Sequence, residues 1–406
     1  MPDRPNQVFD VLIAGGGIAG LALACCLKDA LGAGVSVRVV DPKLGESEGR
    51  DRAFAIAGGP RRLLKRIGVW DLVAPRAQPI VEMAIMDGAV NDVVRPTQLR
   101  FRERDDEPLA HMAMSDDLIA ALTVRAEALG VESLKASMAS FACKRYTAEA
   151  TVDGVSLRAL LIVGADGARS RMRALADIAT IGWDYEQAAI VGTIAHERDH
   201  GGRAEQHFLP AGPFAILPLP GRRSSIVWNE AKADATALLS LEAEDFKRQL
   251  ERRFTLKFGE IEIASKPIAI PLSYRVSRRF VAERLALIGD AAHVVHPLAG
   301  QGLNLALRDV AALAERIVER MRLGLDPGAA DNLEAYERAR RFDVAASGLG
   351  MDVMNRLFSN DLPVLRASRD FGLRLVDRAP ALKRLLIEEA AGERGAAPRP
   401  LAGEAI

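Results

Sequence analysis

Cysteine is scarce in this chain of 406 residues: Cys25, Cys26 and Cys143 are the full set. An odd number at these spacings builds no disulfide framework and matches no zinc pattern. The expectation is three core thiols in a reducing compartment. Aromatic residues make up only 5%, little material for a base-stacking platform. Neither sign of charge is in excess, with 54 Lys+Arg against 54 Asp+Glu, which argues against a bulk nucleic-acid binder. The six histidines show no H-E-x-x-H pattern, so no metal site is expected. Long hydrophobic runs are lacking too. Residues 11–27 are free of charge, but the run holds four glycines and follows Asp10. It is shorter than the ~20 residues a membrane span needs. It reads instead as a buried strand, a tight turn and a buried helix. The expected location is cytoplasmic, at most peripheral to the inner membrane.

What remains is an ordinary globular composition, 49% hydrophobic and 27% charged. At ~150 residues per domain, two or three domains are expected. Residues 9–14 form a short apolar run that suits a central parallel strand. Gly15, Gly17 and Gly20 follow as G-x-G-x-x-G, then an apolar helix, then a second strand over 36–40 ending in Asp41. Gly15 permits the turn, Gly17 lets backbone N–H groups approach a pyrophosphate, and Gly20 allows tight helix–sheet packing. The helix N-terminus favours phosphate, and Asp41 stands where an acid binds ribose hydroxyls. Together these predict a dinucleotide site. This motif alone leaves FAD or NAD open.

Two further strands end in similar signals. Residues 160–163 lead into Asp166 and Gly167, followed by Arg169, Ser170, Arg171 and Arg173. Standing alone, this is an Asp-Gly turn entering a basic helix. Residues 285–288 lead into Gly289 and Asp290, and a carboxylate at a strand end suits a sugar-alcohol chain. The Gly-rich loop 297–302, with Pro297, Gly300, Gln301 and Gly302, precedes a helix that holds Asn304. Its N–H groups suit an electron-rich ring edge.

These three motifs, in this order, resemble the single-component FAD-dependent aromatic hydroxylases, the group typified by p-hydroxybenzoate hydroxylase. Within it, residues 52–70 (RAFAIAGGPRRLLKRIGVW), 182–194 (GWDYEQAAIVGTI) and 354–386 look like the ubiquinone-biosynthesis hydroxylases. The resemblance spans about 7–392. It implies one FAD, with Gly15, Gly17, Gly20 and Asp41 on the ADP half and Asp290 on the ribityl chain and pyrophosphate region. It implies that Pro297, Gly300, Gln301, Gly302 and Asn304 line the isoalloxazine, that Arg52 lies near the FAD phosphates, and that Asp166 and Gly167 serve FAD and transient NAD(P)H docking. Arg50 replaces the acid usual two residues before that arginine. Met114, Ser115 and Asp116 stand where relatives often show Glu, Asn and Arg.

The implied fold class is α/β. A Rossmann-like FAD-binding domain with a doubly wound parallel sheet is interleaved with an antiparallel-sheet substrate domain, and a C-terminal helical segment follows. The expected division is FAD-binding domain over 1–75, 111–180 and 276–330, substrate domain over 76–110 and 181–275, and helical segment over 331–406. The implied reaction is monooxygenation. NAD(P)H reduces FAD, dioxygen is captured as a flavin hydroperoxide, and oxygen passes to the ring of a polyprenylated phenol or quinol in ubiquinone biosynthesis. A small soluble aromatic substrate, or a non-catalytic flavoprotein subunit of a biosynthetic complex, is the alternative. Trp70, Trp183 and Trp228 are too dispersed for the W-x-W-x-I-P motif of flavin halogenases. His207, in the expected floor, is either a general base or a structural residue. The basic and apolar residues of 362–391 suit either helices packed on the FAD domain or a face for a membrane or lipid substrate. The tail beyond Gly392 is expected to fray.

Overall fold

In the computed structural model the residues described are 7–46, 52–88, 90, 92, 95–102, 107–254, 256–295, 300–358 and 397–406. Among them three sheets form. The first runs, edge to edge, Val281–Ala282, Leu285–Leu287, Val155–Gly164, Val8–Ala14, Val37–Val40 and Glu132–Leu134. The last five of these are mutually parallel. Ala148–Val152 and Met138–Cys143 extend it as antiparallel strands. Central parallel strands are buried on both faces and therefore read as unbroken apolar runs. Val11, Leu12 and Ile13 are accordingly fully buried.

The helix Ile18–Leu31 is buried through its first ten residues except Ala19. It lies between the sheet and the helices Ser115–Ala128 and Gln301–Arg322, which explains a helix with so little polar face. Cys25 and Cys26 sit in this core, and burial pushes the Cys25 thiol up to about 12. Cys143 departs from expectation. It lies on an exposed antiparallel strand, where its Sγ donates to the Glu283 carbonyl at 2.9 Å.

The second sheet orders His293–Val294, Ile268–Ser277, Thr180–His196, Arg223–Ala231, Gly212–Leu219, Arg203–Leu209, Glu82–Asp87 and Thr97–Arg102. Its pairs are antiparallel except Arg203–Leu209 with Glu82–Asp87. One face is covered by the helix Ala243–Phe254 through Ile190, Phe214, Trp228, Phe246 and Phe254. The other face looks toward the parallel sheet. A small third sheet, Ala53–Ala57, Ala110–Met114 and Gln78–Ile80, bridges the two.

The chain's end does not fray where it is described. The short helix Arg399–Ala402 buries Leu401 in the main core. Arg399 pairs with Glu315 and Glu319, and Arg62 donates to the Leu401 carbonyl at 2.8 Å. Residues 359–396, which include the basic and apolar segment, lie outside the described residues.

Candidate functional site

Four adjacent parallel strands end at one edge of the first sheet, and each delivers a residue singled out in the sequence. In open α/β sheets this carboxyl edge is where ligands bind. Gly15 leaves its strand at φ 118°, and a Cβ there would lie 2.2 Å from the Ala165 carbonyl oxygen. A Cβ on Gly20 would lie 2.0 Å from the Gly15 oxygen, so this glycine sets helix–turn packing. A Cβ on Gly17 would meet nothing within 4 Å. The space beside it is open at the head of a 14-residue helix. Asp41 accepts from the Gly16 amide at 2.7 Å and the Lys43 amide at 2.7 Å, which shapes the turn.

Asp166 accepts from the backbone amides of Arg171 and Met172 at 2.7 and 3.0 Å. It thus caps the helix Arg171–Leu175, the plain turn-into-helix role, while its Oδ1 is buried without a partner. Gly167 follows at φ 79° on the cavity wall. Asp290 opens into the same cavity, and among the described residues no donor reaches its carboxyl. Surrounding protein raises its pKa, against the pull of His293 and Arg52.

Asp309 was not singled out in the sequence, yet it holds this edge together. Fully buried, it accepts from the Gly289 amide at 2.9 Å, His293 Nε2 at 2.6 Å and Arg340 Nε at 2.7 Å. Burial alone would raise its carboxyl pKa, but His293 and Arg340 more than reverse that and hold it below the usual value. The turn that carries Asp290 is therefore clamped from helix Gln301–Arg322 and from the following helix.

A cavity of about 650 Å³ separates this edge from the second sheet. Its far wall is largely apolar, with Met83, Phe101, Val191, Leu217, Val227 and Leu272. Gly300 caps Gln301–Arg322 in the left-handed conformation, φ 66°, and Gln301 and Gly302 face the cavity. Asn304 borders it, but its amide is engaged elsewhere: it accepts from the Ala57 amide at 3.0 Å and donates to the Ala55 carbonyl at 2.9 Å. Arg52 lines the cavity with its guanidinium 5.2 Å from the Phe54 ring centre. Ser115 lines it as well. Pro297 lies outside the described residues.

The FAD binding domain family matches residues 8–347. The chain belongs to that family. This FAD-binding protein is 43% identical to a protein named ubiquinone hydroxylase UbiL from Rhodospirillum rubrum, over 97% of this chain and 92% of that one. It is 33% identical to the 3-demethoxyubiquinol 3-hydroxylase of Escherichia coli, over 95% of this chain and 99% of that one. Among solved structures, p-nitrophenol 4-monooxygenase PnpA from Pseudomonas putida superposes with a TM-score of 0.78 at 20% identity, over 96% of this chain and 99% of that one. At that identity the likeness establishes the shared fold.

The residues present fit FAD. The open space at Gly17, the helix N-termini at Ile18 and Gln301, and the unpartnered Asp290 carboxylate together offer places for anionic and hydroxyl-bearing parts of a dinucleotide. His207 does not join them. It is 1% exposed on the helix-covered face of the second sheet, with Glu205 at 3.2 Å, Arg95 at 3.3 Å and Phe214 alongside. Burial lowers its pKa, opposed by Glu205. The structure places it in the core, and it is not among the residues that line the cavity.

Proposed function

We propose that the protein is an FAD-dependent monooxygenase that hydroxylates the ring of a polyprenylated phenol or quinol in ubiquinone biosynthesis, with NAD(P)H as reductant and dioxygen as oxidant. The observation that carries this is the cavity itself, with a dinucleotide-binding edge on one side and an apolar wall on the other. The names of the two relatives support the pathway.

Bound FAD would supply the redox and oxygen chemistry. The chain's own residues do the rest. Gly15, Gly17, Gly20 and Asp41 would hold the ADP half, and Arg52, Asp166 and Gly167 would serve its phosphate region. Asp290 takes the ribityl hydroxyls. Gln301 and Gly302, at the head of helix Gln301–Arg322, would present N–H groups to the flavin ring edge, and Asn304 fixes that helix to the strand Ala53–Ala57. The apolar wall excludes water, which protects reactive species from wasteful hydrolysis. We divide the chain as the motifs suggest, with the FAD-binding segments at 1–75, 111–180 and 276–330 around a substrate-binding sheet.

The wall also separates substrate classes. Arg52 is the one basic side chain among the described lining residues, and it stands on the FAD side. Among the described residues an aromatic acid would find no counter-charge on the substrate side, whereas a neutral phenol with an apolar tail needs none. A lipid-tailed substrate calls for peripheral membrane contact, although no helix among the described residues is long and apolar enough to cross a membrane. Liposome co-sedimentation at low salt tests that contact, and a wild type that stays in the supernatant overturns it. The quinone profile of a strain lacking the gene tests the reaction. Accumulation of an under-hydroxylated prenylated precursor is expected, and an unchanged profile refutes the assignment.

A further inference from the structure

Two side-chain amides stand out in the apolar wall of the cavity. Gln206, 6% exposed, comes from Arg203–Leu209, and Asn229, 3% exposed, comes from Arg223–Ala231. Gln206 Nε2 and Asn229 Oδ1 have no hydrogen-bond partner. Of the buried, unpartnered polar side-chain atoms among the described residues, these alone belong to residues lining the cavity. A buried amide without a partner is costly, and native interiors rarely keep one unless something else satisfies it.

Their placement is defined by register. Gln206 pairs with Ala215, and Ala215 with Val227. Asn229 lies two residues beyond Val227 on the same face, because successive side chains alternate. The two backbones are therefore roughly 12 Å apart, two inter-strand spacings across and two residues along. Between them lie Ala215 and Val227, small or flat apolar surface that suits a ring face. Both amides are on the second sheet, across the cavity from the strand ends that bear the dinucleotide signals.

We infer that Gln206 and Asn229 are the polar anchors for the oxygen substituents of the aromatic substrate, holding a ring with oxygens at two separated positions flat on the Ala215–Val227 surface. An amide both donates and accepts. With Gln206 Nε2 left to donate and Asn229 Oδ1 left to accept, the pair suits a hydroxyl or methoxy oxygen at Gln206 and a hydroxyl at Asn229 without imposing a charge, which distinguishes it from a carboxylate-binding site. The inference deepens the proposed ring hydroxylation and rests on it. The amides are positioning residues. They set which ring carbon faces the cofactor and take no proton.

The test uses holoenzyme and a geranyl-substituted hydroquinone, with binding read from the change in the bound-flavin absorption spectrum. The near-isosteric variants Gln206→Met and Asn229→Leu are each expected to weaken the dissociation constant by about tenfold, as for the loss of one buried hydrogen bond. FAD content should match the wild type. Melting temperature should be equal or higher, since an unsatisfied buried amide has gone. Wild-type affinity for the probe in both variants overturns the inference. So does a marked fall in melting temperature, which would make the amides structural, or a loss of FAD affinity with unaltered probe binding after reloading. Failure of the wild type itself to bind the probe would bring down the proposed function, and this inference with it.

Discussion

Replacing Asp309 by Asn keeps the shape of the side chain and removes its charge. Three donors converge on that carboxylate, at 2.6, 2.7 and 2.9 Å, in a place with no solvent access. Arg340 loses a buried counter-charge but keeps Asp343, with which it also pairs. Removing one partner of a buried ion pair costs about 3–5 kcal/mol, and the second carboxylate puts this case near the lower end. A fall in Tm of roughly 3–5 °C follows for a chain of this size. The Gly289 amide is one of the three donors, so the turn bearing Asp290 loosens as well, and FAD affinity should drop about tenfold or more. Flavin release followed by fluorescence during a melt, together with an FAD titration, measures both. The double variant with Arg340→Met should be less than additive, because both substitutions break one network. The pH dependence has a definite sign. The Asp309 carboxyl titrates below its ordinary value in the folded state. Its contribution is complete above the ordinary carboxylate pKa and is lost as pH falls through the depressed value. An Asp309→Asn holoenzyme with wild-type Tm and wild-type FAD affinity would refute this account of the clamp.

The two motif glycines should separate binding from folding. Gly17→Val meets open space, so the apoprotein should melt like the wild type while FAD content falls to near zero; full flavin retention would remove this loop from the site. Gly20→Ala forces a Cβ against the Gly15 oxygen and should destabilise by about 1–3 kcal/mol even without FAD, as overpacking does. Asp290→Asn removes a carboxylate that no donor reaches among the described residues, so apoprotein stability should hold or rise while FAD binding weakens about tenfold; global unfolding would assign Asp290 a structural role instead. His111, edge-on to Trp70, is held mainly by burial at a pKa of about 4, against an ordinary 6.5. The unfolded chain takes up the proton first, so wild-type stability should decline as pH falls from 6.5 to about 4. His111→Phe should flatten that decline in denaturant titrations, and an unchanged slope would count against it.

The strand-end glycines and acids were readable because each lies beside its own strand in sequence, so a local pattern carries the placement. The Asp309 clamp was not. Its partners His293 and Arg340 come from a short strand 16 residues before it and a helix 31 residues after it, and only packing brings them together. His207 was hidden for another reason. Its strand is buried along nearly its whole length, so no alternation marks which face a residue takes. Gln206 and Asn229 were equally invisible, since nothing local distinguishes an amide paired inside the fold from one left facing a cavity. The docked end of the chain was misread from its Ala, Pro and Gly content, because the ion pairs of Arg399 with Glu315 and Glu319 are long-range.

The claim at the centre of the account is that ring oxygen comes from dioxygen, delivered next to a flavin held at the sheet edge. Holoenzyme supplied with a prenylated quinol precursor, NAD(P)H and ¹⁸O₂ tests it in one mass spectrum. The account predicts a product heavier by one ¹⁸O, on the ring, with no label from H₂¹⁸O in the converse experiment. NAD(P)H consumption without labelled product, or label arriving from water, would contradict it.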